Sequence, residues 1–153
     1  MLISDLVTPP AVIADLKATS KKQALQELAR RAAILTGDAE RTIFDVLLER
    51  ERLGTTGVGD GVAIPHGKLA DLPRLFGLFA RLERPVDFES IDEQPVDLIF
   101  LLLAPGGAGA DHLKALARVS RLLRDRSMRE KLRGSETAEA LYALLVEQHA
   151  SAA

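Results

Sequence analysis

The sequence predicts a single-domain α/β fold, in which a mixed sheet of four or five strands is flanked by helices on both faces. Three observations lead to this prediction. The length of 153 residues fits one domain with one core. Strand-like and helix-like segments alternate along the chain, as in layered α/β folds. The segment VDLIFLLLA at 96–104 is apolar almost throughout, which is typical of a central strand covered on both faces.

The first part of the chain is predicted to form a strand followed by a helix. Residues 11–16 (AVIADL) have the composition of a short strand. Ser20, with Gln23 three positions later, forms a capping box that begins a helix, and Gly37 ends it.

A second helix is predicted to begin at Asp38, as its N-cap, and to end near Gly54. Helical spacing places an arginine on the same stripe as three apolar residues: Ile43, Val46, Leu47 and Arg50. A guanidinium at this position either extends past the core to solvent or points into a site, where its planar donors match a phosphoryl group. The sequence leaves both outcomes open.

Two strand candidates occupy the middle of the chain, after a glycine-rich loop. The loop, GTTGVGDG at 54–61, leads through the strand-like stretch VAIP to His66. The candidates are residues 75–82 and 96–104, and the proline-bounded segment 85–95 between them is expected to be a loop with a short strand or turn.

The last third of the chain is predicted to form three helices. A second glycine-rich loop, PGGAGA at 105–110, precedes Asp111, the expected N-cap of the first of these helices. Ser127 starts a capping box for the next helix, and the final helix runs through 140–145 before a tail, 149–153, that is expected to fray. The inward face of the first of these helices is predicted to consist of Leu113, Leu116, Val119 and Leu123.

Composition excludes several classes of function. The chain has 20 basic and 22 acidic residues, a balance that gives no electrostatic basis for binding nucleic acid. The absence of cysteine excludes disulfides, thiolate catalysis and cysteine metal clusters. The N-terminus lacks the pattern of a signal peptide, and the longest apolar run, Leu98 to Ala104, is too short to span a bilayer. We therefore expect a cytoplasmic protein that does not insert into membranes.

His66 lies in a sequence context that suits a phosphoryl acceptor. The preceding glycines let backbone N–H groups turn toward an anion, and Thr55 and Thr56 add hydroxyl donors. Pro65 stiffens the approach, and Gly67 leaves room beside the ring. A neutral imidazole nitrogen is a competent nucleophile, so Thr55, Thr56 and Gly67 become candidate phosphate-binding residues. A buried histidine that donates to a carbonyl is the structural alternative, and residue chemistry alone does not choose between them.

The two other histidines have less specific surroundings. His112 opens a helix after the second glycine-rich loop, where the helix dipole favours anions by ~0.3–1 kcal/mol. It could help to hold a phosphate or contact His66, or it could be a boundary residue beside Leu116 and Val119. His149 lies in the tail and is expected to be solvated. Because loops that leave an α/β sheet gather at one edge, we expect His66 and His112 to lie at one end of the sheet.

Other site chemistries fit the sequence poorly. GVGDG at 57–61 suggests a dinucleotide fingerprint, but a strand-like stretch follows it where that motif needs a helix. Gly67-Lys68 lacks the spacing of a P-loop, and no serine lies in a nucleophile-elbow pattern. A metal would find a poor ligand set: His66, His112 and either Asp60 or Asp111. We therefore predict neither a metal nor a cofactor.

Three segments in order carry a resemblance to a known family: LLERERLGTTGVGDGVAIPHGKL at 47–69, FESIDEQPVDLIFLLLAP at 88–105 and DHLKALARVSRLLRD at 111–125. Together they resemble the enzyme IIA domains of the bacterial phosphotransferase system, mannitol/fructose type. The stretches IPHGKL and SIDEQPVDLIF are most similar to the nitrogen-regulatory enzyme IIA. The resemblance covers nearly the whole chain and implies one such domain over residues 1–153.

The resemblance implies roles for particular residues and partners. His66 matches the phosphoryl acceptor, with attachment at Nε2, and His112 and Arg50 match the other site residues of the family. The implied donor is a small HPr-like phosphocarrier, itself phosphorylated by an enzyme I homologue. In the nitrogen-regulatory branch the phosphorylation state controls binding to targets, and potassium-transport or sensor proteins are candidates. We expect such partners to dock on an apolar rim formed by Val62, Leu69 and Leu116.

Two other functions remain open at this point. The chain could be a sugar-transport IIA component that passes phosphate to a fructose/mannitol-type permease domain. It could also be a metal-dependent or purely structural module in which the histidines are incidental.

Overall fold

A six-stranded mixed sheet organises the fold in the computed structural model, which describes the backbone of residues 1–151 and the side chains of residues 1–147. The strands are β1 (Val12–Leu16), β2 (Gly57–Gly59), β3 (Val62–Ala63), β4 (His66–Leu69), β5 (Phe76–Val86) and β6 (Val96–Pro105). Their order is β1-β5-β6-β3-β2, and β4 also pairs with β6. The mixed sheet is confirmed, but it has more than the four or five predicted strands. The segment predicted as a glycine-rich loop contributes β2, and the chain after it adds both β3 and β4.

Strand β6 is the centre of the sheet. It pairs antiparallel with β5 on one side and parallel with both β3 and β4 on the other. Every residue from Leu98 to Ala104 is buried, so both faces of this strand are covered, as predicted. Val62 pairs with Leu98 and His66 pairs with Leu102, so β3 and β4 follow the same side of β6, with a break at Ile64 and Pro65. The break ends directly before His66.

Helices cover the sheet in two groups. Their bounds are α1 (Ile3–Leu6), α2 (Lys21–Thr36), α3 (Glu40–Arg52), α4 (Gly109–Arg124), α5 (Arg126–Arg133) and α6 (Ala138–Ser151), with a 3₁₀ turn at Pro9–Ala11. Helices α2 and α3 pack on each other and contact β5 and β4, respectively. Helix α4 contacts β6, and α6 contacts β1. Across the described residues, no helix is both long enough and apolar enough to cross a membrane.

Helix α2 begins and ends as predicted, whereas three other predicted helix starts are wrong. The hydroxyl of Ser20 accepts from the Gln23 N–H, and Gly37 ends α2 in the left-handed conformation at φ 83°. The N-cap of α3 is Ala39, because the N–H of Asp38 still bonds to the hydroxyl of Thr36 in the turn after α2.

The starts of α4 and α5 also differ from the prediction. Helix α4 begins at Gly109 after an Ala108 cap, so Asp111 lies inside its first turn. Asp125 caps α5, because its carboxylate accepts from the N–H of Ser127, which was the predicted cap. The side chain of His149 and part of the tail predicted to fray lie outside the described residues.

The predicted inward face of α4 is correct only in part. Val119 and Leu123 are buried, and Leu116 is half-buried against the core. Leu113 is 68 % exposed and does not belong to this face. His112 and Ala115 take the buried positions in its first turns, on the same face as Val119.

Candidate functional site

His66 lies at the start of β4, half-buried, where the chain resumes pairing with β6 after the break at Pro65. Its Nδ1 atom is 2.9 Å from the carbonyl oxygen of Ile64. A carbonyl can only accept, so Nδ1 carries the proton and donates. In the neutral ring this leaves Nε2 with a free lone pair, which is the state of a nucleophile.

Arg50 reaches this nitrogen from the last turn of α3. Its Nε donates to Nε2 of His66 over 3.3 Å, and its Nη1 donates to the carbonyl of Gly54 over 2.8 Å. The guanidinium is half-buried, so of the two outcomes that the sequence left open, it points into the site. Val46, one turn earlier on α3, lies against β4: a Cβ on Gly67 would come within 2.2 Å of its Cγ1. The close approach of α3 to β4 brings Arg50 to His66.

His112 completes a group of three. Its ring centroid lies 5.6 Å from that of His66, and the two rings meet edge to face at 71°. The residue is only 8 % exposed, and its Nε2 is a buried polar atom without a hydrogen-bond partner. A buried orphaned polar atom costs free energy unless a ligand or water satisfies it. His66 and His112 thus meet at one end of the sheet, as the sequence led us to expect.

The surroundings of both rings favour the neutral form. Burial lowers the pKa of His66 below its ordinary value of 6.5. The hydrogen bond to Ile64 raises this pKa and partly offsets the effect of burial, whereas the positive charge of Arg50 lowers it further. Burial also lowers the pKa of His112, and the neighbouring His66 and Lys68 lower it further. A neutral imidazole is the form in which Nε2 of His66 keeps its lone pair.

The three candidate phosphate-binding residues are already engaged. The hydroxyl of Thr55 donates to the carbonyl of Phe88, and the buried hydroxyl of Thr56 donates to Glu51 over 2.5 Å. Gly67 provides the space that Val46 occupies. For the two threonine hydroxyls to bind a phosphate, these bonds would have to open. Their role, like that of the Gly67 backbone, stays a prediction.

Glu51 is the residue of this region that sequence reasoning missed. Its side chain is 3 % exposed and accepts from both the N–H and the hydroxyl of Thr56. The signal was present in the spacing, because Glu51 follows the buried Leu47 by four residues and therefore lies on the buried stripe of α3. An acidic residue on such a stripe indicates a buried polar contact.

The predicted apolar rim is wrong for two of its three residues. Val62 and Leu69 are buried in the core, and Leu116 is half-buried. The exposed apolar side chains next to site residues in the chain are Leu53, at the end of α3, and Leu113, which follows His112; they are 83 % and 68 % exposed.

Asp60, one of the two carboxylates considered as metal ligands, has other partners. Asp60 lies in the turn between β2 and β3, where its carboxylate is 3.9 Å from Arg129 and its N–H bonds to Asp92. Among the residues that the structure describes, no cluster of three or more histidines and carboxylates could hold a metal ion.

A mixed sheet that presents an imidazole nucleophile between an arginine and a second histidine is an arrangement suited to phosphoryl transfer. The chain belongs to the family described as phosphoenolpyruvate-dependent sugar phosphotransferase system, EIIA 2, whose family model matches residues 5–148.

Within this family, proteins named nitrogen regulatory proteins are among those similar to the chain. The chain is 66 % identical to the nitrogen regulatory protein of Bradyrhizobium diazoefficiens over 153 residues, with both chains fully covered. It is 41 % identical over 129 residues to that of Escherichia coli, covering 84 % of this chain and 79 % of the relative. The crystal structure of nitrogen regulatory protein IIA-Ntr from Neisseria meningitidis superposes with a TM-score of 0.88 at 35 % identity, covering 94 % of this chain and 98 % of the other.

Proposed function

We propose that this protein is a phosphoryl-accepting regulator that receives a phosphoryl group on Nε2 of His66 from an HPr-like phosphocarrier. One observation carries the assignment of the atom: the Ile64 carbonyl holds the proton on Nδ1, so Nε2 is the nitrogen with the lone pair. Membership of the EIIA 2 family and the identity with nitrogen regulatory proteins support the phosphoryl-accepting regulatory role.

The transfer is a displacement at phosphorus between two nitrogen atoms. The lone pair of Nε2 forms the new P–N bond while the P–N bond to the donor histidine breaks, and the electron pair of that bond returns to the donor nitrogen. The proton on Nδ1 of His66 stays on the ring, where the Ile64 carbonyl accepts from it. The positive charge that develops on the ring is offset by the phosphoryl group and by this carbonyl.

Arg50 and His112 supply donors for the phosphoryl oxygens in this mechanism. As the new bond forms, the Nε–H of Arg50 loses its acceptor on Nε2 and becomes available to an oxygen of the phosphoryl group. His112, whose Nε2 has no partner, can donate from that atom in the corresponding tautomer. Preorganised donors of this kind stabilise charge that develops in a transition state.

Phosphorylation can act as a switch because of the charge that it adds. A phosphoryl group brings about −1.5 to −2 charges to one spot at neutral pH. A coupling of 1–3 kcal/mol changes partner affinity by roughly 5–150-fold. Such a change is enough to release or recruit a target protein, and exposed Leu53 and Leu113, which are close in the chain to Arg50 and His112, are candidates for the contact surface. Potassium-transport or sensor proteins remain the predicted class of target.

The experiment mixes the purified protein with a phosphorylated HPr-like carrier and maps the phosphate by mass spectrometry under non-acidic conditions. We expect the label on His66 only, complete loss in His66→Ala, and retained though slower labelling in His112→Ala. Normal labelling of a folded His66→Ala protein would contradict the assignment.

A second arm separates the regulator from the sugar-transport alternative. A fructose/mannitol-type permease domain is added as a possible acceptor, and we expect the phosphate to stay on this protein. Rapid passage of the label to the permease domain would instead support a transport component.

A further inference from the structure

Glu51 is a buried carboxylate one residue away from Arg50 in the last turn of α3. A buried charge is tolerated when every lone pair that it presents is satisfied. Oε1 of Glu51 accepts from the N–H of Thr56 over 2.8 Å, and Oε2 accepts from the Thr56 hydroxyl over 2.5 Å. Lys21 lies 3.5 Å from Oε1 and supplies the countercharge. The carboxylate of Glu51 therefore binds the backbone N–H and the side-chain hydroxyl of Thr56 at the same time.

A continuous path of hydrogen bonds leads from this carboxylate to the ring of His66. The carbonyl of Thr56 accepts from the N–H of Ile64 over 3.0 Å. The carbonyl of Ile64, in turn, accepts from Nδ1–H of His66 over 2.9 Å. The position of the Ile64 carbonyl thus depends on Thr56, and the position of Thr56 depends on Glu51.

The same short segment also sets the position of Arg50. Nη1 of Arg50 donates to the carbonyl of Gly54, and the N–H of Gly54 donates to the backbone carbonyl of Glu51. Two consecutive residues of α3 therefore clamp the segment 54–56, Arg50 at its first residue and Glu51 at its last. A shift of this segment would move both groups that contact His66.

We propose that Glu51 is a positioning residue that acts through Thr56 and Ile64 to keep the proton of His66 on Nδ1, and through the segment 54–56 to keep Arg50 beside Nε2. Its consequence for transfer rests on the proposed function of His66. The tautomer, in contrast, is a property of the unphosphorylated protein and is measured without any transfer.

A carboxylate is the group that this position requires. Both of its oxygens only accept, so it can receive the N–H and the hydroxyl of Thr56 together. Glutamine has nearly the same size but a single acceptor oxygen, so its NH₂ group must face either the Thr56 hydroxyl or both the Thr56 N–H and Lys21. Glu51→Gln therefore changes the hydrogen bonding at Thr56 while the volume of the side chain is retained.

The experiment records the tautomer of His66 by NMR in protein labelled with ¹⁵N-histidine and measures the rate of phosphoryl transfer from the carrier. Wild type is expected to hold the Nδ1–H form. In Glu51→Gln we expect a measurable fraction of the Nε2–H form and a transfer rate lower by roughly 10- to 100-fold, since small displacements of reacting groups have effects of this size. Thr56→Val, which loses only the hydroxyl, should change the tautomer and the transfer rate less than Glu51→Gln does. Thr56→Ser, which keeps the hydroxyl, should behave like wild type.

Asp97→Asn is the matched control. Asp97 accepts from Arg133 over 2.9 Å at the other end of β6, so the variant weakens another partly buried ion pair without touching the segment 54–56. We expect it to lose stability and keep the His66 tautomer and the transfer rate.

The outcomes separate the two proposals. A folded Glu51→Gln protein with the wild-type tautomer and transfer rate would overturn the positioning role. If that variant does not fold, the comparison of Thr56→Val with Thr56→Ser decides, and identical tautomers in both would overturn it. If wild-type His66 accepts no phosphate and Glu51→Gln still changes the tautomer, the proposed function fails and the positioning of the His66 proton stands.

Discussion

Nε of Arg50 donates to Nε2 of His66, the nitrogen whose lone pair is expected to attack phosphorus. The distance of 3.3 Å is beyond the usual range for an N–H donor, so the bond is weak and can be released at little cost. When a phosphoryl group takes its place on Nε2, the guanidinium is already beside the group that it must stabilise. The contact in the resting protein thus prepares the site for transfer.

Replacement of Arg50 should slow phosphoryl transfer without preventing it. We expect Arg50→Ala to lower the rate by roughly 10- to 1,000-fold, about 1–4 kcal/mol, in line with the loss of single preorganised donors elsewhere. Arg50→Lys should recover part of the rate, because it restores the charge but not the planar donors. Rapid-quench measurement of transfer from the carrier tests this, and wild-type rates in Arg50→Ala would assign the arginine a structural role.

Replacement of His112 should reveal the role of its unpartnered Nε2 atom. We expect His112→Ala to slow transfer and His112→Gln to recover part of the rate, because the glutamine amide can place a donor close to the former ring nitrogen. Both variants should keep the label on His66. If His112→Ala transfers as fast as wild type, His112 is only a packing residue beside His66.

The lowered pKa values of His66 and His112 predict the pH dependence of stability. Each group binds protons less readily when folded than when unfolded, so its contribution to stability is fully present above the ordinary value of 6.5 and is lost as pH falls through the lowered folded pKa. The free energy of unfolding should therefore decrease below about pH 6.5. Urea titrations at several pH values in this range should show that the free energy of unfolding decreases less with falling pH in His112→Gln than in wild type. The same pH dependence in both proteins would speak against a lowered pKa of His112 in the folded protein.

Transfer to His66 should likewise persist below the pH at which an ordinary histidine becomes protonated. Because the pKa of His66 is lowered, Nε2 keeps its lone pair at pH values where a free imidazole has lost it. The measurement is the single-turnover acceptance rate against pH, corrected with a free-imidazole acceptor. A midpoint above 6.5 for His66 would contradict this expectation.

A side chain larger than that of Gly67 should destabilise the protein, because α3 lies against β4 at this position. A Cβ there would meet Cγ1 of Val46 at 2.2 Å, and we expect Gly67→Ala to cost about 1–3 kcal/mol of stability, as overpacking does. Adding Val46→Ala should remove part of this cost in a double-mutant cycle. Gly107→Ala is the control, since a Cβ at that position has no neighbour within 4 Å.

Much of the fold could be predicted because local patterns are sufficient for it. The apolar run around Leu101 identified the central strand, and Ser20 and Gly37 correctly marked the ends of α2. The wrong helix starts at Asp38, Asp111 and Ser127 have a shared reason. The observed caps, Ala39, Ala108 and Asp125, lie only a few residues from the predicted ones, and a local pattern does not define a helix boundary more closely than that.

The sequence by itself also predicted which groups form the candidate site: His66 was singled out by its neighbours, and the family resemblance added roles for His112 and Arg50. Only the tertiary structure decided how these groups are used. The hydroxyls of Thr55 and Thr56 donate to Phe88 and Glu51, and the proton of His66 is held on Nδ1 by Ile64. The physical reason is that a hydrogen-bonding group takes whichever partner the fold brings within about 3 Å. The hydroxyl of Thr55 finds its partner, the carbonyl of Phe88, in a distant part of the chain, and no local sequence pattern records that contact.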